Sequence, residues 1–142
     1  MGLGTAAELA VRDMERRSER MIPLRDRLMT GLEERIPRVT INGDRERRLP
    51  GNVHAAVYAV EGESMVYRLA GKGIMAASGS SCADKTLKGS QVLAAIGVEP
   101  ALINASILFT LGIDTTEDAI GTVLDELPPV VESLRAMSPL WD

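Results

Sequence analysis

Over the first 32 residues, apolar side chains return at Leu3, Ala7, Ala10 and Met14, then at Met21, Leu24, Leu28 and Leu32. Steps of three and four place them on one face of a long amphipathic helix, which calls for an apolar surface to receive it. Arg17 interrupts the stripe. Pro23 removes a backbone donor and crowds the preceding turn, so a kink is expected near Met21–Pro23, and Pro37 closes the helical region.

Beyond Pro37 the pattern shortens. Arg38–Ile41, ahead of the turn Asn42-Gly43-Asp44, and Val53–Val60 read as strands. Glu61–Leu69 reads as a helix that ends at Gly71 and Gly73. Ile74–Ala77 reads as a strand, Ser90 as the cap of a helix through Ala95 stopped by Gly97, and Ser106–Leu111 as a further strand. Thr115, with Asp118 three residues on, resembles a capping box that opens a last helix through about Met137. Pro128-Pro129 should bend or divide that helix. The fold class is therefore α+β: a small sheet of about four short strands covered on one face by helices, with long helices at both ends. Residues 1–142 are read as a single domain, long enough to bury a core without staples.

Aromatic residues make up 3% of the chain, so Leu, Ile, Val, Met and Ala must build the core. Residues 1–48 carry a net charge of +2 and residues 49–142 a net of −6. The basic residues near the start alternate with acids, as in Arg12-Asp13-Met14-Glu15-Arg16, which describes a helix face laced with ion pairs. Neither half offers the uncompensated basic, aromatic-bearing surface of a nucleic-acid binder. No segment is apolar for long enough to span a bilayer, and the amino terminus lacks a signal-peptide pattern, so neither nucleic acid nor membrane is an expected partner. One cysteine excludes an internal disulfide framework and suits a reducing compartment, so a cytoplasmic location is expected.

That cysteine, Cys82, sits in the Gly/Ser-rich stretch Ala77-Ser78-Gly79-Ser80-Ser81-Cys82-Ala83-Asp84, where an apolar run has just ended. A free thiol has a pKa near ~8.5, leaving about 3% thiolate at pH 7, a fraction that Lys85 and Lys88 can raise. His54 is the only histidine. A Cys–His pair requires it to approach Cys82 in space, and the plainer expectation is a strand residue at a sheet end. One Cys and one His cannot supply a zinc site, so no metal is expected. From the residues alone, an inert loop thiol and a working nucleophile both stay open.

Ser78-Gly79-Ser80-Ser81-Cys82, followed by Leu87 and Ser90-Gln91-Val92-Leu93, resembles the active-site loop of the cysteine desulfurases, a pyridoxal-phosphate-dependent family of the fold type I aminotransferases. Arg47-Arg48-Leu49-Pro50-Gly51-Asn52-Val53 is similar to the segment leading into that family's small-domain sheet. Glu61-Gly62-Glu63-Ser64, Phe109-Thr110-Leu111-Gly112 with Thr115-Thr116-Glu117, and the closing Leu134–Trp141 follow in the same order. The resemblance implies the carboxy-terminal small domain of such an enzyme, without its large cofactor-binding domain. It further implies that Cys82 attacks the sulfur of cofactor-bound L-cysteine, leaving alanine and a persulfide. That sulfur then passes to an acceptor such as an iron–sulfur scaffold protein. The assembled enzyme is expected as a homodimer.

Three positions depart from the pattern. The family's Schiff-base lysine directly follows a histidine, whereas Lys72, Lys85 and Lys88 do not. Pyridoxal phosphate is therefore expected on a partner chain carrying the large domain. The arginine that grips the substrate carboxylate falls at Leu108, and the usual Glu-Pro and Ser-His read Lys88-Gly89 and Ser90-Gln91. A leucine cannot replace a bidentate donor, whose loss from a buried pair costs about 2–5 kcal/mol. Two alternatives therefore stand beside the enzyme part: a sulfur-carrier module that accepts persulfide sulfur from another desulfurase, and a domain kept only for assembly.

Overall fold

The computed structural model describes residues 2–78 and 90–141. Helix α1 (Gly2–Arg35) leads into strands β1 (Val39–Ile41) and β2 (Asn52–Val57), helix α2 (Gly62–Ala70) and strand β3 (Ala77–Ser78). Short helices α3 (Gln91–Ala95) and α4 (Pro100–Ile103), strand β4 (Ser106–Thr110) and helix α5 (Glu117–Arg135) follow. The four strands form one antiparallel sheet in the order β1-β2-β4-β3. The α+β architecture expected from the sequence is present.

Alternation along the two central strands divides the sheet. Val53, Ala55 and Val57 of β2 and Ile107 and Phe109 of β4 turn to one face and are buried in a single apolar core. Leu24, Leu28, Met29 and Leu32 of α1, Met65 and Leu69 of α2, and Ile120, Leu124, Leu127 and Val131 of α5 close over them. Only the second half of the α1 stripe serves this purpose. Leu3, Val11 and Met14 stand exposed on the amino-terminal half.

Several expectations are corrected in detail. The strand expected at Ile74–Ala77 starts three residues later, and α4, which the sequence reading lacked, begins with Pro100 in its first turn. The cap of α5 is Thr116, whose side chain accepts from the Ala119 N–H, while Thr115 Oγ1 accepts from the Gly112 N–H. Ser90 does cap α3, its hydroxyl accepting from Leu93 N–H.

Pro128 and Pro129 do not divide α5. Pro128 has no N–H for the carbonyl four residues earlier, that of Leu124, so that acceptor needs another donor. Arg35, at the end of α1, supplies it: Nη1 donates to Leu124 O at 3.1 Å and to Asp125 Oδ1 at 2.6 Å. Arg35→Ala is expected to lower stability by about 1 kcal/mol in urea unfolding. An unchanged midpoint would contradict this role. The far end of α5 is pinned by the buried Arg135, which donates to Tyr58 O at 3.1 Å and Pro37 O at 2.7 Å and lies 3.9 Å from the Trp141 ring centroid.

Candidate functional site

The face of the sheet turned away from α1 and α5 carries the alternate residues. Ala56 and Ser106 on it are buried at the α4 end, where α4 packs on β2 and the Ser106 hydroxyl donates to Ile103 O at 2.7 Å. The next row along is less covered. His54 of β2 pairs with Leu108 of β4, and Leu108 pairs with Ala77 of β3. At the other end of the row, Asn42 donates its backbone N–H to His54 O at 2.9 Å. Directly opposed residues of antiparallel strands share a face, so Asn42, His54, Leu108 and Ala77 form one line across the sheet. His54, Leu108 and Ala77 are half-buried and Asn42 is buried.

The line has one polar working group. Asn42 Nδ2 lies 2.9 Å from His54 Nδ1. An amide nitrogen only donates, so Nδ1 accepts, and the ring is the neutral Nε2–H tautomer. Asn42 is itself held, because its carbonyl accepts from Arg48 Nη2. Arg48 Nη1 turns toward α1, 3.0 Å from Met29 Sδ, and its Nε is buried with no hydrogen-bond partner among the described residues. Burial first, and the Arg48 charge second, push the His54 pKa below its ordinary value. The sign follows: the unfolded imidazole takes a proton more readily, so the stability that the neutral ring contributes is complete above about pH 6.5. It is lost as pH falls through the lower folded value. Thermal unfolding should therefore show a drop in Tm from pH 7.5 to 5.5 that is smaller in His54→Asn. An equal drop in both proteins would contradict it.

Of the residues singled out from the sequence, Ser78 ends β3 beside Ile107 of β4. Gly79, Ser80, Ser81 and Cys82, together with Lys85 and Lys88, lie outside the described residues. Leu108 sits where the row crosses β4. His54 is not at a sheet end: it lies within β2, a central strand of the sheet, because β4 pairs along the other side of β2 from β1. The partners Asn42 and Arg48 were missed as site residues. The sequence signal was present only as the Asn42-Gly43-Asp44 turn, and it needed the β1–β2 register to bring residue 42 to residue 54.

The described residues do not fit a pyridoxal phosphate site. Their one lysine, Lys72, follows α2 and is tied to Glu126 of α5 at 2.5 Å, among the helices that cover the other face. No step through that cofactor can be built on them. Among the described residues no three His, Cys, Asp or Glu side chains gather to hold a metal ion. No helix among them is long and apolar enough to cross a membrane.

The chain is 42% identical over 144 residues to cysteine desulfurase IscS of Clostridium botulinum (strain Hall), which covers 100% of this chain and 36% of that one. It is 41% identical over 139 residues to cysteine desulfurase IscS of Dictyoglomus turgidum, covering 98% of this chain and 35% of the relative. The chain fits a fragment of the cysteine desulfurase family. It spans about a third of the length of the curated relatives it matches. The fold agrees: a NifS-like protein from Rickettsia africae superposes with a TM-score of 0.78 at 20% identity, covering 92% of this chain and 33% of that one. A second NifS-like protein gives a TM-score of 0.76 at 22% identity, over 91% of this chain and 32% of the other. No family model matches the chain.

Proposed function

We propose that this chain is the carboxy-terminal, small-domain part of a cysteine desulfurase and that Cys82 takes up sulfur as a persulfide and passes it on. The 42% identity along the whole chain to a cysteine desulfurase carries the reading. Two features support it. Ser78, the last residue of β3, stands on the strand next to Leu108, and Cys82 follows four residues later in the sequence. The composition Gly79-Ser80-Ser81 puts no bulky side chain between them.

In this reading pyridoxal phosphate belongs to a partner chain that supplies the large domain. The exposed Leu3, Val11 and Met14 on α1 support a partner there, since an apolar stripe left in water is unfavourable. The sulfur acceptor is a protein such as an iron–sulfur scaffold, the assembled enzyme is a homodimer, and a reducing, cytoplasmic setting suits the lone thiol. Mixed with a chain carrying the cofactor-bearing large domain and with L-cysteine, the protein should form alanine, releasing sulfide under a reductant. No alanine with such partners would defeat this reading.

Leu108 favours a second reading, a module that accepts persulfide sulfur from another desulfurase. A leucine on the open row offers a carboxylate no donor. In that case Cys82 loads without any partner that binds L-cysteine on this face.

A further inference from the structure

We propose that Asn42 is a modification site: where the β1–β2 hairpin opens, its side-chain amide is lost as ammonia, and the carboxylate left behind makes His54 a protonated partner. This goes beyond the reading above and uses no role for Cys82. Asn42 is followed by Gly43, which has φ +84° and no Cβ to shield its backbone nitrogen from the neighbouring side-chain amide. In the folded chain Asn42 is 6% exposed and held at three points. Its N–H donates to His54 O at 2.9 Å, its carbonyl accepts from Arg48 Nη2, and Nδ2 lies 2.9 Å from His54 Nδ1. The amide cannot turn back toward Gly43 without breaking the last of these. The hold is local, because β1 is a three-residue strand at the edge of the sheet. Short edge strands open far more readily than the whole fold.

The step needs water and neither oxidant nor reductant. Gly43 N attacks Asn42 Cγ: the N–Cγ bond forms, the Cγ–Nδ2 bond breaks, and the Gly43 proton leaves with Nδ2 as ammonia. Water then opens the cyclic imide, giving aspartate, or isoaspartate with one more backbone carbon. The asparagine amide donates to Nδ1, which suits a neutral imidazole. A carboxylate only accepts, so Nδ1 must carry a proton to keep the bond, and the ring becomes a cation. Among the described residues the charged group that acts on His54 is Arg48, while β4 and β3 bring Leu108 and Ala77 alongside. A carboxylate at residue 42, whose carbonyl Arg48 already holds, offsets the repulsion between the two cations. The modified row therefore carries a positive charge one strand from Leu108.

Peptide mapping of the wild-type chain in mildly alkaline buffer tests the first half. Residue 42 should gain about 1 Da, at least about tenfold faster in urea than in the folded protein. His54→Phe, which takes away the bond to Nδ2, should raise the folded rate several-fold and leave the rate in urea unchanged. Imidazole NMR resonances test the second half without ambiguity, since His54 is the only histidine. In Asn42→Asp they should titrate at least about one pH unit higher than in the wild type. Asn42→Ser, which brings no carboxylate, should show no such rise. Equal rates in urea and in the folded chain, or an Asn42 that keeps its mass even in urea, would overturn the proposal. So would an Asn42→Asp protein that fails to fold, or one whose His54 titrates no higher than the wild type. Neither arm reads sulfur uptake, so the reading of Cys82 stands or fails separately.

Discussion

Gly62→Ala is expected to cost about 3 kcal/mol or more, enough to leave much of the chain unfolded. Gly62 opens α2 where the helix presses against the entry to β4. Its N–H donates to Asn104 O at 2.8 Å, and a Cβ built on it would stand 2.2 Å from Ser106 O and 3.1 Å from Asn104 O. Both obstacles are backbone atoms, fixed by the β2–β4 ladder and by the turn after α4, so no rotamer change relieves the clash. Moving α2 away would uncover Met65 and Leu69, which are fully buried. Gly121→Ala provides the contrast. A Cβ there meets nothing within 4 Å, and the position is helical. That substitution should leave stability unchanged or raise it by up to about 1 kcal/mol. Urea midpoints of the two variants decide the matter: similar midpoints would mean that the α2–β4 approach is not as close as described.

Cys82→Ser is expected to lower the rate of sulfur uptake on the order of a thousandfold or more, with the fold intact. A serine hydroxyl is nearly isosteric, but it does not ionise near neutral pH and forms no stable bond of the persulfide type. The substitution therefore removes the chemistry and keeps the shape. Since Cys82 is the only cysteine, no second thiol can mask the loss. A variant that unfolds at the same urea concentration as the wild type, yet gains sulfur at the same rate, would remove Cys82 from the function.

The sheet and its covering helices were legible because their signals are local. The three- and four-residue spacing of Leu24, Leu28 and Leu32 marks the buried face of α1, and the alternation of β2 and β4 marks the core strands. The departures come from contacts, made or lacking, that spacing rules do not register. Pro128-Pro129 reads as a bend or a division; α5 is not divided there, and Arg35, far away in the sequence, satisfies the carbonyl that Pro128 orphans. Leu3 and Met14 follow the same period as Leu24, yet among the described residues they stand exposed. Thr115 and Thr116 both have the chemistry of a cap, and only the Gly112 turn, which takes the Thr115 hydroxyl, leaves Thr116 to start α5.

The site was legible to a different degree. Leu108 stood out as a departure from a known pattern, and the strand pairing sets it in one row with His54 and Ala77. His54 looked like a bland strand residue because its meaning depends on register: β1 brings Asn42 to Nδ1, and β4 brings Leu108 alongside. No spacing rule links residues 42, 54, 77 and 108. Pairing across four strands does.

Intact mass of the wild-type chain after exposure to a persulfide donor, with the modified residue located by peptide mapping, tests the central claim most directly. One added sulfur atom, a gain of about 32 Da, should appear on the peptide containing Cys82, vanish on treatment with a reductant, and be absent in Cys82→Ser. A wild-type protein that keeps its original mass under conditions that load a free thiol would contradict the claim that Cys82 carries sulfur.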